Sequence, residues 1–125
     1  MRTLFAVSGV LAWLFGLALL FAPAGFYAPT GLALTPLMAT VAQAHGATLV
    51  GLGLVNWLAR DADARGARAV LVGNLVIQVL SLGVVLRTMA LGAGRAVLPG
   101  VVIHVGLATW FAVVLARMPR HVPAA

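Results

Sequence analysis

Two histidines lie inside long apolar stretches of this chain, and their spacing is the feature that most suggests chemistry. His45 follows the start of one apolar run, Met38, by seven residues, and His104 follows the start of another, Val97, by seven. At a rise of 1.5 Å per residue, both imidazoles are expected about 10 Å below the same membrane surface. Ser81, on a third apolar run, is expected at a similar depth, so the three side chains would form one layer. An ionisable side chain inside a membrane is a functional hypothesis by default.

Three interpretations of this layer stay open. Neutral imidazoles at His45 and His104 are suited to be the axial ligands of a b-type haem, with Arg87 and Arg95 at the outer mouth to meet the propionates. A small hydrophobic ligand or a lipid head group could also lie near the histidines and Ser81. In the third interpretation, each histidine hydrogen-bonds a backbone carbonyl or Ser81 and only stabilises packing. The cofactor is therefore undetermined, and haem b is one candidate.

Missing residue types exclude several function classes. The chain has no cysteine and no glutamate, so disulfides, thiolate metal sites and cysteine nucleophiles are ruled out. No carboxylate lies in an apolar run, which argues against proton-coupled transport and sets aside the small multidrug exporters that need an embedded glutamate. Phosphate-binding loops and nucleophile motifs are missing as well. We expect no metal site and no catalytic residue, and the balance favours a protein that is not an enzyme.

Four apolar runs position these side chains. The composition is 63% hydrophobic with a mean hydropathy of +1.13, well above the roughly 45–50% of soluble domains. About twenty apolar residues cross a bilayer core, and the runs are drawn at 4–22, 38–59, 69–86 and 97–116. The predicted fold is all-α: a single domain over residues 1–125, a multi-pass membrane protein built as a four-helix transmembrane bundle. The first run exceeds a signal-peptide core in length, so we expect it to be retained.

The arginines predict the orientation of these spans. Arg87 and Arg95 fall on one side of the membrane, and six arginines fall on the other: Arg2, Arg60, Arg65, Arg68, Arg117 and Arg120. The positive-inside rule then places both termini in the cytoplasm. The charged stretch 60–68 becomes a short cytoplasmic turn, whose two aspartates could pair with Arg65 or Arg68. Because the charge flanks apolar runs, no nucleic-acid partner is expected despite a net charge of +6.

Small residues along the second run predict how it packs. Ala42, Gly46 and Gly53 line a groove on one helical face, in which another helix from this chain or from a partner should lie. Helices in lipid associate through such close contacts rather than through hydrophobicity. The predicted function is therefore that of a small accessory protein in the lipid bilayer, which packs through these faces as a homo-oligomer or as a subunit of a larger membrane complex.

Polar side chains inside the runs predict two further contacts. Asn74, Gln78 and Ser81 lie at i, i+4 and i+7 and so share one face of the third helix, which should point inward. Asn56 and Asn74 should face each other across the charged turn, where a hydrogen bond between them would set the register of two helices. We expect these amides to serve packing rather than chemistry.

The loop between the first two runs differs from the charged turn. It carries no charge, and Pro23, Pro29 and Pro36 interrupt helical structure there. Phe26 and Tyr27 are of the type that favours the membrane interface. We expect a short helix or a partly dipping loop at the outer membrane surface.

One stretch resembles a known family. Residues 42–76, AQAHGATLVGLGLVNWLARDADARGARAVLVGNLV, look like the small four-helix bacterial membrane proteins of the broad DoxX-like kind, in which a glycine-rich second span ends in Asn-Trp-Leu-Ala-Arg before a short charged turn. The resemblance implies a four-helix protein of the bacterial inner membrane, and some such proteins are associated with membrane oxidoreductase complexes. It carries over no catalytic residue. His45 stands where many such chains have an aromatic or other bulky residue, which favours a role particular to this protein.

Overall fold

Every regular element is helical in residues 1–119, the part of the chain that this computed structural model describes. The α-helices are α1 (Arg2–Phe21), α2 (Pro23–Tyr27), α3 (Pro36–Ala59), α4 (Ala64–Thr88) and α5 (Leu98–Arg117). Between them lie 3₁₀ turns at Ala28–Thr30 and Gly94–Val97 and a π-helical segment at Met89–Ala93. Arg120, one of the arginines used above to predict orientation, lies outside the described residues.

Four of these helical stretches are long and apolar enough to cross a membrane, as the sequence predicted. They are Arg2–Phe21, Pro36–Ala59, Ala64–Leu91 and Arg95–Arg117. The chain is therefore all-helical in its described part and has the composition of a multi-pass membrane protein. The largest differences from the predicted bounds are in the third stretch, which begins at Ala64 instead of residue 69 and ends at Leu91 instead of residue 86.

A capping aspartate explains the early start of α4. Asp63 has extended backbone angles (φ −62°, ψ 171°), and its carboxylate accepts a hydrogen bond of 2.7 Å from the amide of Gly66. Such a cap satisfies an amide that the first helical turn leaves without a partner. Asp61 pairs with Arg2, far away in sequence, rather than with the nearby arginines. Neither carboxylate thus pairs with Arg65 or Arg68, and the partner of Asp61 is one that local spacing did not predict.

The structure divides into two compact units, which are described in turn. The first unit, Phe5–Leu58, contains most of α1, then α2 and most of α3. Helices α1 and α3 run antiparallel, since Gly9 lies near Gly53 and Gly16 lies near Gly46. The connection between them forms a short helix, Pro23–Tyr27, which is one of the two forms that the sequence predicted. It turns at Gly31, whose φ of 72° favours glycine.

The second unit comprises Met1–Leu4 and the described part of the chain from Ala59, including α4 and α5. Helices α4 and α5 form an antiparallel hairpin. Its buried face includes four residues of α4 and two of α5: Ala67, Leu71, Asn74, Gln78, Leu107 and Phe111. This face holds two amide side chains, so part of the packing there must be arranged around hydrogen bonds.

Candidate functional site

The predicted groove on α3 contains α1 of the same chain. A Cβ atom added at Gly46 would lie 2.7 Å from the carbonyl oxygen of Gly16, and one added at Gly16 would lie 2.9 Å from the carbonyl oxygen of Gly46. The same relation holds one heptad away, where a Cβ on Gly53 would lie 3.0 Å from the Gly9 carbonyl oxygen. Ala42, the third predicted groove residue, is buried. The two backbones are in contact, and only glycine permits this approach.

Sequence reasoning missed the α1 half of this contact. Gly9 and Gly16 are seven residues apart, as are Gly46 and Gly53, so two matching heptad spacings were available as a signal. Trp13 lies between the two glycines of α1 and donates a hydrogen bond of 3.2 Å from its indole Nε1 to the carbonyl of Val50. The indole therefore pairs with backbone inside an otherwise apolar contact.

His45 lies beside a cleft of about 460 Å³ in the first unit. The cleft is lined by the connection after α2 and by the first half of α3: Tyr27, Leu32, Leu34, Leu37, Met38, Val41, Ala42 and His45. His45 is exposed, and it is the one ionisable group besides the Tyr27 phenol among these lining residues. The arrangement is an apolar groove with an imidazole at its α3 side, open to the surroundings of the protein.

His104 has a different environment in the second unit. Its Nδ1 lies 2.7 Å from the amide oxygen Oε1 of Gln78, which is 7% exposed. Because an amide oxygen only accepts, this contact assigns the proton to Nδ1 and leaves Nε2 as the acceptor nitrogen of the neutral ring. The partner is thus Gln78 and not Ser81, which is half-buried on the same helix. Haem ligation by His45 and His104 together stays a prediction.

The two asparagines of the predicted packing pair are both buried, Asn56 fully and Asn74 at 2% exposure. The Asn74 side chain donates a 2.9 Å hydrogen bond to the Val70 carbonyl, one helical turn earlier. No polar side-chain atom that is buried lacks a partner among the described residues. The hydrogen bond between Asn56 and Asn74 stays a prediction.

Arg87 and Arg95 lie at the connection between α4 and α5. They are the residues that the haem interpretation assigns to the propionates. Arg87 is in the last turn of α4, where a cation interacts favourably with the helix dipole, and Arg95 is in the 3₁₀ turn Gly94–Val97. Both are exposed. Among residues 1–119, no group of three or more His, Cys, Asp or Glu side chains is placed to hold a metal ion.

A second cleft, of about 280 Å³, lies at the opposite end of the α4–α5 hairpin beside Arg68. The sequence used Arg68 only to predict membrane orientation, and its proximity to the end of α5 depends on tertiary packing.

No family model matches this chain, and no curated protein or solved structure matches it either. The helix contacts, the exposed glycines and the two clefts are therefore the features that bear on function.

Proposed function

We propose that this protein is a small multi-pass membrane protein whose function is helix-mediated association, with itself or with a larger membrane complex. The association surface is a stripe on α4, here called the α4 seam: Ala69, Gly73, Val76, Leu80 and Gly83. These positions are spaced 4, 3, 4 and 3 residues apart, the heptad spacing of helices that pack in a left-handed pair. They lie opposite the buried face of α4, which contains Leu71, Asn74 and Gln78.

The exposure of the α4 seam is the observation that carries the proposal. Val76 is 50% exposed and Leu80 is 66% exposed, and a Cβ added at Gly73 or Gly83 would meet nothing within 4 Å. Glycine costs about 1 kcal/mol relative to alanine inside a helix, and lipid contact does not need it. A second helix does benefit, because the missing side chains allow its backbone to approach.

Two of the three glycines of α3 have the opposite status. Gly46 and Gly53 already contact α1, so they are not available to another chain. The association surface therefore has to be sought on α4 rather than on the groove that the sequence first suggested.

The proposal includes a four-helix bundle in a bacterial inner membrane with both termini in the cytoplasm. Within the second unit, Arg65, Arg68 and Arg117 lie at one end of the hairpin, and Arg87 and Arg95 lie at the other. The excess at the first end supports a cytoplasmic placement of that end. The DoxX-like resemblance of residues 42–76 supports the bacterial setting and a membrane-complex partner.

The test compares two double variants by native mass spectrometry after gentle release from the native membrane. In Gly73→Leu/Gly83→Leu, the α4 seam is filled, and we expect the oligomer or complex of the wild-type chain to be lost. The control, Gly51→Leu/Gly106→Leu, also fills two open glycine positions but on α3 and α5, and it should leave the assembly intact. A wild-type chain that is monomeric in lipid would contradict the proposal. An added mass of one haem would instead favour the bis-histidine alternative.

A second candidate function, binding of a hydrophobic ligand, is favoured by the cleft beside His45. Its volume of about 460 Å³ is within the range of about 300–1,000 Å³ typical of small-molecule sites. The lining is apolar with few polar groups, which suits an acyl or isoprenoid chain whose polar end meets the imidazole. Substituting Val41→Trp should fill the cleft and remove a ligand mass that co-purifies with the wild type, while Val55→Trp, an exposed site further along α3, should retain it.

A further inference from the structure

The cleft beside Arg68 is not used by the α4 seam and has a distinct chemistry. The guanidinium of Arg68 is the one charged group in its lining, and the other lining side chains are apolar. The lining residues are Arg68, Leu75, Ala112, Leu115, Ala116 and Met118. Between Arg68 and Leu75 the helix rises about 10 Å, so the charge lies toward the start of α4 and an apolar wall continues along the hairpin. The cleft thus has one cationic end and one hydrocarbon-like end.

The part of the chain that the structure describes holds the guanidinium by one hydrogen bond and leaves most of its donors unused. Arg68 is half-buried, and its Nη1 donates a bond of 3.3 Å to the backbone carbonyl of Pro119. A guanidinium has five N–H donors in a planar fork. The remaining donors of Arg68 have no protein partner within residues 1–119. This end of the cleft can therefore accept an anion with two oxygen atoms in one plane.

Within residues 1–119, no acidic side chain pairs with Arg68. Asp61 and Asp63 are the only acidic residues of the sequence; the first pairs with Arg2, and the second caps α4. Two further arginines lie close in sequence to residues of the cleft. Arg65 is three residues before Arg68, and so neighbours it on the helix surface. Arg117 follows the lining residue Ala116 at the end of α5.

We propose that this cleft binds one anionic phospholipid, with its phosphate on Arg68 and an acyl chain along the wall formed by Leu75, Ala112 and Leu115. Arginine pairs with phosphate through two parallel hydrogen bonds. The end of a membrane-crossing helix lies at the level of the lipid head groups, and basic pockets between such helices are suited to anionic ones. The apolar wall then meets hydrocarbon, and the guanidinium meets the phosphodiester.

Other occupants fit less well. A second copy of this chain would bring a net charge of +6, with both of its carboxylates engaged elsewhere. A free phosphate ion would satisfy Arg68 but leave the apolar wall uncovered. Only an amphiphile with a negative head group matches both ends of the cleft.

The test reconstitutes the full-length protein in vesicles of equal parts phosphatidylglycerol and phosphatidylcholine and counts the lipids retained in native mass spectra. The wild type should retain one phosphatidylglycerol per chain in preference to phosphatidylcholine. Arg68→Gln should weaken that preference about fivefold, the effect expected for one cation near a lipid surface. Arg87→Gln is the matched control, because it is the same substitution on the same helix at the other end. It should leave the preference unchanged.

A second variant separates the acyl wall from the charge. Ala112→Trp keeps every arginine and fills the wall, so it should also lower retention of phosphatidylglycerol. Should Arg68→Gln lose its helical circular dichroism, this variant decides the proposal by itself. Equal retention of the two lipids by the wild type, an equal loss in Arg87→Gln, or unchanged retention in Ala112→Trp would each overturn the proposal. Displacement of the lipid by millimolar inorganic phosphate would assign the cleft to a free ion and overturn it as well.

Discussion

The α1–α3 pair and the α4–α5 hairpin are both antiparallel, but different groups hold them together. In the first, four glycines bring the two backbones into contact, and Trp13 adds a hydrogen bond to a backbone carbonyl. In the second, larger side chains such as Leu107 and Phe111 are buried, together with the contact between Gln78 and His104. The contact between α1 and α3 depends on the absence of side chains at these four glycines. The contact between α4 and α5 includes two polar side chains that match each other.

This difference also affects what each pair leaves exposed. The most apolar part of α1 is 39% buried, that of α3 is 17% buried, and those of the third and fourth membrane-spanning stretches are 17% and 11% buried. Gly9, Gly16, Gly46 and Gly53 are used inside the first unit, while Gly51 on α3, Gly73 and Gly83 on α4, and Gly106 on α5 meet nothing within 4 Å. The hairpin therefore leaves both of its helices largely exposed, whereas in the α1–α3 pair α3 is equally exposed and α1 is more buried.

The largest effect is expected from Gly46→Leu in the α1–α3 pair. Its Cβ would lie 2.7 Å from both the Gly16 carbonyl oxygen and the Leu20 backbone nitrogen, and backbone cannot move aside cheaply. We expect a loss of about 3 kcal/mol in the free energy of unfolding, the upper part of the range for overpacking. Steric trapping in bicelles measures it. Gly51→Leu, where the added atoms meet nothing within 4 Å, should change stability little; similar losses in both would refute backbone contact as the cause.

A smaller effect is expected when the polar pair of the hairpin is broken. Gln78→Leu removes the partner of His104 Nδ1, and we expect a loss of about 1 kcal/mol, since hydrogen bonds between membrane helices average about 0.6 and reach about 1.7 kcal/mol. A double-mutant cycle with His104→Leu isolates the pairwise energy. A coupling energy of zero would show that the contact contributes nothing to the hairpin.

Trp13→Phe tests whether the α1–α3 pair relies on polar contact as well as on glycine. The substitution removes the 3.2 Å hydrogen bond to Val50 and keeps an aromatic ring near Trp57, whose ring centroid is 5.3 Å away. A loss of about 0.6 kcal/mol is expected, the average for a hydrogen bond between membrane helices. The same steric-trapping measurement applies, and a loss as large as that of Gly46→Leu would mean that the indole, rather than the glycines, dominates the contact.

The smallest effect is expected at the pair of Arg2 and Asp61, whose side chains are 76% and 62% exposed. Solvent and salt screen such a pair, so Asp61→Asn should cost at most about 0.5 kcal/mol. Asp63→Ala should cost more, about 1 kcal/mol, because it removes the cap of α4. Thermal unfolding at low and at high salt compares them. An Asp61→Asn loss that exceeds the Asp63→Ala loss would mean that the ion pair is stronger than its exposure implies.

Local properties of the sequence predicted the helices well, because membrane-spanning length and hydropathy need no knowledge of neighbours. Local residue types also predicted a short helix or a partly dipping loop between the first two spans, and the structure has the short helix Pro23–Tyr27. The start of α4 was not predicted, since a hydrophobicity criterion ignores the charged first turn that Asp63 caps. Aspartate is a residue type that commonly caps helices, so the role of Asp63 was visible in the sequence. Asp61 was instead expected to pair with Arg65 or Arg68, which are close to it in the chain.

The sequence by itself determined that the described chain is helical, that four helices can cross a membrane, and that Asn74 and Gln78 share one face of α4. Tertiary structure decided which groups meet: α1 in the groove of α3, Gln78 rather than Ser81 beside His104, and Arg68 beside Pro119. The physical reason is the distance along the chain over which each interaction acts. Helical periodicity arises from neighbours within one turn, whereas the partner of a polar group or a glycine depends on the register of a second helix that is distant in the chain.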